Sequence, residues 1–421
     1  MKKAFYGWWV VFAAFITFGL AVGLPYYNNP FFYDYYQKSF GWSKSQITLG
    51  FPLAALLTIW VGPVLIPRFS PRKLVVAGTG LTCLAFLGWG TMGGNIFVYW
   101  AIWFVYTVGY ILSGPIPHQI IISQWFLKLR GTAMGVLYVG VGLVGFLGSY
   151  LVKPLAENLG FQTALIVIGV TVLASWPVAL LLLRDRPSDK GQFPDGADAP
   201  PAEQAVQAFS YKHLLSRYSF WLLLIGSACS IGAIGAVNFH MKFVFQDQMS
   251  RAVQQTEFQS FLNATWRAAS MIILASSIGG RLLIGGLSDK FNKKIVMAIS
   301  YFLSAATIPI LLTVTPPTTP WVFGLLFGFA MGADYMLIPL MAAEQFGVNS
   351  LAKCMAIILP VNTIAQTWFP YFVSVLRETF GTYQIAMGVT FAIAILSAVA
   401  IAFLPPSEKD RGTPLKEAAA R

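Results

Sequence analysis

The sequence predicts an all-α membrane protein of twelve transmembrane helices arranged as two six-helix bundles. Three observations carry this reading. Hydrophobic residues make up 57% of the 421 positions and charged residues only 10%, with a mean hydropathy of +0.66. That is more apolar surface than a water-soluble chain of this size needs. Apolar segments of bilayer-spanning length, ~20 residues, recur along the whole chain. One long polar stretch divides them six and six. Because a backbone in lipid must satisfy its own hydrogen bonds, the spans are helices.

The spans fall at 5–27, 45–66, 74–94, 97–124, 131–152, 162–183, 218–243, 263–287, 295–314, 319–343, 352–375 and 385–405. The first could imitate a signal peptide. It lacks a small-residue cleavage site and many spans follow it, so MKKAFYGWWVVFAAFITFGL reads as a retained helix. Most connections are short. The exception, residues 184–217, contains RPSDKGQFPDGADAPPAEQ, a composition that cannot build a core and reads as a linker. The expected organisation is an N-terminal bundle at 1–183, a cytoplasmic linker at 184–217, and a C-terminal bundle at 218–421 with a short cytoplasmic tail.

Charge orients the spans. The net charge is +12, from 28 Lys and Arg against 16 Asp and Glu. In a soluble protein such a balance suggests nucleic acid; here the basic residues sit in short loops and report topology. Of the 28, 20 fall on the side of the termini and the linker. Six lie opposite: Lys38, Lys44, Lys153, Lys242, Arg251 and Arg377. Arg267 and Arg281 lie within the eighth span. The split places the termini and linker on the cytoplasmic side of a cell membrane. Cys83, Cys229 and Cys354 are scattered in or beside apolar segments, so neither a disulfide nor a metal site is expected. There is no phosphate-binding glycine loop and no nucleophile elbow. ATP-driven transport, enzyme activity and a bound cofactor are therefore not expected.

The functional reading centres on SSIGGRLLIGGLSDKFNKK, Ser276 to Lys294. Arg281 stands alone in its apolar part. An arginine inside a lipid-spanning helix is costly unless paired, so it reads as the anchor of an anionic substrate. The competing reading is permanent pairing with a buried acid. Basic turns follow both the second span (PRFSPRK) and the eighth (DKFNKK), an internal symmetry typical of transporters that rock two bundles about a midplane site.

Gly285 and Asp289-Lys290 resemble the loop motif of the major facilitator superfamily, although Pro67 stands where the acid belongs in the first-half copy. Within that superfamily the first span, GWWVVFAAFITFGLAVGLPYYNNPFF, resembles that of monocarboxylate transporters. So do FGWS before the second span, WFLKLRGTAMGVLYVGVG entering the fifth, and the spacing of Arg281 and Gly285. The chain departs from animal members at two ionisable positions. A lysine after the first-span proline is Tyr26 here, and an aspartate four residues before the arginine is Ser277. Coupling to protons would then need other groups. The chain is also similar to bacterial oxalate/formate exchangers, whose second cation, a lysine of the eleventh span, falls on Asn362. With one cation to meet the substrate, the resemblance implies a monoanion.

Further intramembrane polar residues complete the candidate site. Asp334 reads as a proton site or as a partner for Arg281 when the site is empty, against a helix-packing hydrogen bond. Tyr335 matches a cavity-lining tyrosine of the oxalate exchangers and could donate to a carboxylate. His118, within GPIPHQ, could bind substrate or carry a proton, with a packing histidine equally open. Tyr26, Tyr27, Asn28 and Asn29 form a polar cluster where the first helix is expected to break after Pro25. Asn362 adds a hydrogen bond without charge, His240 is a weaker candidate, and Glu344 suits gating or packing. The expected function is a monomeric, secondary-active carrier of a small monocarboxylate such as lactate or pyruvate, with a proton as its partner. An organic anion exchanger, a neutral-solute facilitator and a transporter-like receptor remain open.

Overall fold

The computed structural model describes residues 4–199, 208–249, 258–313 and 319–407. The terminal cations Lys2, Lys3, Lys409, Arg411, Lys416 and Arg421, the expected tail, and Arg251 lie outside them. Among the described residues all regular elements are helical. Eleven helices among the described residues are long and apolar enough to cross a bilayer, and the remaining span contains a shorter apolar helix, Ser45–Leu57. The chain divides into two compact units, Met1–Ala208 with Val348–Pro360, and Phe209–Gly347 with Val361–Arg421.

The first span is longer and less regular than expected. It runs from Gly7 to Phe40 as α1 (Gly7–Phe18), a π turn (Gly19–Gly23), α2 (Leu24–Asn28), a 3-10 turn (Asn29–Phe32) and α3 (Tyr33–Phe40). Pro25 does not break it. The proline falls directly after the π turn, in the first turn of α2, where it is tolerated. The second span is the broken one: α4 (Lys44–Thr48), α5 (Gly50–Leu57) and α6 (Val61–Leu65). Thr58 turns its hydroxyl back to the Ala54 carbonyl at 2.7 Å, and Pro63 has no N–H to donate to the preceding turn.

The rest of the unit is α7 (Pro71–Thr91), α8 (Ile96–Ser113), α9 (Pro115–Trp125), α10 (Arg130–Leu159), α11 (Phe161–Val172) and α12 (Ser175–Leu181). Its core is strongly aromatic. Trp89 and Trp103 meet edge to face at 4.9 Å, flanked by Phe86, Tyr99 and Tyr106. The π turn lies against α10 so closely that a Cβ on Gly23 would run into the Val141 carbonyl oxygen.

The connecting stretch is not structureless throughout. Its first part forms two 3-10 turns, Pro187–Lys190 and Pro194–Gly196, that dock on the first unit. Asp195, at φ 55°, accepts through Oδ2 from the N–H groups of Leu127 (3.0 Å) and Lys128 (2.8 Å). Gln192 bridges the Tyr6 N–H and the Ala4 carbonyl, both at 3.0 Å, and Lys190 lies over the Tyr6 ring. Proline and glycine composition reported the missing helix but not these side-chain ties.

The second unit holds α13 (Tyr211–Ser216), α14 (Tyr218–Met249), α15 (Phe258–Lys290), α16 (Lys293–Leu312), α17 (Thr319–Phe346), most of α18 (Leu351–Phe380) and α19 (Tyr383–Ala402). Its core joins Val244, Phe245, Ile308, Phe323 and Phe327. The closest packing is between α15 and α17, which run parallel. Cβ atoms on Gly324, Gly328 and Gly332 would meet the carbonyl oxygens of Ala269, Ile273 and Ser277 in turn, the last two at prohibitive distance. Small residues every four positions let the backbones approach this way in lipid.

Candidate functional site

The α15–α17 register places the key residues. Pairing advances four residues at a time on both helices, from Ala269 with Gly324 to Ser277 with Gly332. The next step sets Arg281 level with Met336, beside Tyr335 and two residues from Asp334. An anchor one turn beyond the glycine stripe is thus held at the depth of the tenth span's polar pair.

Arg281 is buried, at 8% exposure, and neither its Nε nor its Nη1 has a hydrogen-bond partner. No ion pair within 4 Å joins it to Asp334 or any other described acid. A buried guanidinium normally makes charge-assisted bonds along one edge. Here a donor on each forked edge is open, so the permanent-pairing reading has no support in this conformation. Ser277, one turn earlier, bonds only the Leu274 carbonyl, at 2.8 Å.

Asp334 is held by other helices. Its Oδ2 accepts from Ser230 Oγ of α14 at 2.6 Å, while Oδ1 has no partner. The Tyr301 hydroxyl of α16 neighbours this carboxyl without reaching acceptable hydrogen-bond geometry. One turn away on α14, Ser227 donates to Asn362 Oδ1 of α18 at 3.1 Å, leaving Asn362 Nδ2 unpartnered. Tyr335 donates to Gln366 Oε1 at 2.7 Å. The second unit therefore carries buried donors on Arg281 and Asn362 and a buried acceptor on Asp334, none of them saturated.

Ser227, Ser230, Tyr301 and Gln366 were not singled out from the sequence. Gln366 could have been found, since it follows Asn362 by four residues and shares its helix face. The serines carry no such signal, because serine is common in helices of this kind. Glu344 forms an ion pair with Lys293 at 3.3 Å, tying the end of α17 to the start of α16. His240 is taken up by the Pro370 carbonyl at 2.8 Å and the Tyr383 hydroxyl at 3.2 Å.

The first-unit candidates are arranged differently. His118 is fully buried, with Nδ1 2.8 Å from the Gly114 carbonyl and Nε2 2.8 Å from Thr17 Oγ1. A carbonyl only accepts, so Nδ1 carries the hydrogen and the neutral ring accepts from Thr17. Phe18 stacks on it at 5.0 Å. Both nitrogens are thus occupied, Nδ1 within the first turn of α9 and Nε2 in tying α9 to α1. Asn28 likewise donates to Leu24 and Gly145 carbonyls at 2.8 and 3.2 Å, joining α2 to α10, and Tyr27 is 53% exposed. The neighbouring Asn29 is the buried amide left without partners. Tyr26 packs among Tyr27, Phe51 and Tyr110.

The comparisons agree with this architecture. Monocarboxylate transporter 13 of Bos taurus is 22% identical over 416 residues, covering 95% of this chain and 89% of its own. The fujikurins efflux protein of Gibberella fujikuroi is 24% identical, covering 79% and 68%. The uncharacterized MFS-type transporter YhjX of Escherichia coli is 22% identical, covering 55% of this chain and 53% of its own. Among solved structures, the proton:xylose symporter XylE superposes with a TM-score of 0.70 at 14% identity, covering 99% and 98%. The human organic anion transporter MFSD10 gives 0.66 at 12% identity, covering 94% and 99%. At such identities the structures speak for the fold alone. The family model of the Major Facilitator Superfamily matches residues 7–281 and, in a second match, 250–421, and the chain belongs to that superfamily.

Proposed function

We propose that this transporter is a secondary-active carrier of small monocarboxylates, lactate- or pyruvate-like, moving the anion with a proton by alternating access. The observation that carries the reading is the pair of open donors on Arg281, Nε and Nη1. A buried guanidinium with Nε and Nη1 unpartnered keeps a free donor on each of its two forked edges, and either edge suits a carboxylate. The full-length similarity to a protein named a monocarboxylate transporter supports the substrate class. Asn362 offers an amide and no charge, which favours a monoanion over a dianion. Asp334 is the proposed proton carrier. Its free Oδ1 can take a proton, and Ser230 already holds the other oxygen. One proton per anion makes the step electroneutral, avoiding ~2.3 kcal/mol per charge per 100 mV against a negative interior.

The chain is proposed to work as a monomer in a bacterial inner membrane, with termini and linker cytoplasmic. A cysteine at Ser210 should then react with impermeant maleimide only after the membrane is opened. Labelling from outside intact cells would reverse the topology. The functional test is uptake of labelled lactate, pyruvate, acetate and oxalate into proteoliposomes of the purified protein. We expect monocarboxylates to accumulate under an inward proton gradient without internal substrate. A strict requirement for internal anion would identify an exchanger, and sugar flux without anion flux would identify a neutral-solute facilitator.

A further inference from the structure

A groove of about 1070 Å³ opens on the lipid-facing side of the first unit, between α7 and the pair α11–α12. Its α7 wall is one helix face, Lys73, Val76, Ala77, Gly80, Leu84 and Leu87, spaced three, four or seven residues apart. Its other wall is Leu173, Trp176 and Leu180. The floor is shallow in side chain because Ala77 and Gly80 stand where larger residues would close it. A Cβ on Gly80 would already touch the Trp176 ring at 3.4 Å. Trp176 is itself fixed, its indole N–H donating to Thr79 Oγ1 at 2.9 Å.

One end of this apolar groove is charged. Ser70, Arg72, Lys73 and Asp185 line it there. Arg72 spreads its guanidinium over the carbonyls of Ala179 (3.0 Å) and Leu180, and its backbone N–H holds Asp185 Oδ1 at 2.8 Å. Arg184 donates to the Leu180 and Leu183 carbonyls beside it. Two cations, Arg72 and Lys73, thus line this end with one acid, Asp185, whose carboxylate already accepts a hydrogen bond. The Lys73 side chain is exposed at the mouth, while its backbone N–H is held by Ser70 Oγ. From Lys73 to Leu87 the helix rises ~21 Å, the depth of one leaflet's acyl layer with its headgroup.

We infer that this groove is a binding site for one anionic phospholipid, its phosphate at Ser70, Arg72 and Lys73 and an acyl chain along Ala77, Gly80 and Leu84. Charge complementarity selects the occupant. An uncharged or zwitterionic lipid would fill the apolar part equally but would leave the cationic mouth without a net counter-charge. Basic pockets at the membrane surface between helices recognise anionic headgroups, with each cation contributing roughly five-fold in affinity.

The test uses the full-length protein in mixed micelles carrying equimolar phosphatidylglycerol and phosphatidylcholine, read by native mass spectrometry. One phosphatidylglycerol should be retained about ten-fold or more over phosphatidylcholine. Lys73→Gln, a change at an exposed side chain, should cut that preference about five-fold while leaving total lipid retention unchanged. Gly80→Phe should fill the groove and release the tightly held lipid of either class. Soluble glycerol phosphate should not displace it. Equal retention of both lipids, preference indifferent to Lys73→Gln and Gly80→Phe, or displacement by glycerol phosphate alone would each overturn the inference.

Discussion

Replacing Arg281 with alanine separates the anchoring role from a structural one. A guanidinium that holds helices together does so through its hydrogen bonds, and its loss would leave partners stranded. Here neither Nε nor Nη1 has a partner, so the substitution strands nothing. It also removes an uncompensated buried charge, offset in part by lost packing of the side-chain stem. The net change should fall within ~1 kcal/mol, moving the midpoint of thermal unfolding by about 2–4 °C in either direction. Transport should respond very differently. A bidentate carboxylate would lose two charge-assisted bonds of ~1.5–3 kcal/mol each, so substrate binding should weaken roughly 10²- to 10⁴-fold. Arg281→Lys keeps the charge and loses the planar fork, for a deficit of about 10- to 100-fold. The assays are proteoliposome uptake of labelled lactate and thermal unfolding of the same preparation. Near-normal uptake by Arg281→Ala, or unfolding more than ~10 °C lower, would refute the reasoning, because the first removes the anchor and the second reveals a structural tie.

Three other outcomes are expected. Asp334→Asn should retain substrate exchange but lose accumulation driven by an inward proton gradient, and undiminished accumulation would dismiss Asp334 as the proton carrier. His118→Ala should destabilise the protein by ~1–3 kcal/mol, read by thermal unfolding, because it removes the bond that ties α9 to Thr17 of α1 and leaves the Gly114 carbonyl without its imidazole donor, while proton-driven uptake per folded molecule persists. Loss of coupling without loss of stability would instead make His118 the carrier. Asn362→Lys should shift preference toward a dicarboxylate in competition assays, and unchanged selectivity would separate Asn362 from the substrate.

What could be read in advance, and what could not, follows from how each feature is encoded. Arg281 and Asp334 announce themselves because a charge in an apolar run is visible along one dimension. The spans were legible for the same reason. The partners of Asp334 were not, since whether Ser230 faces α17 depends on how three helices turn about their axes. His118 shows the reverse case, a residue conspicuous in the sequence whose two nitrogens the fold assigns to helix packing. Proline misled at the first span, because the π turn shifted the register and gave Pro25 a tolerated position. At the second span glycine, proline and a back-bonding threonine together did interrupt the helix. Composition also understated the connecting stretch, where the ordered part depends on one carboxylate, Asp195, meeting two backbone N–H groups.

The glycine notches between α15 and α17 have a mechanical consequence. With carbonyl oxygens seated over Gly328 and Gly332, neither helix can slide along the other without driving backbone into backbone. The two act as a single yoke carrying the guanidinium and the carboxyl at a set spacing. Spin labels placed along these helices should therefore report one distance throughout a transport cycle. Any communication between the two charges then has to pass through what enters the space around them, a substrate oxygen, a water or a proton, because the frame that holds them does not flex.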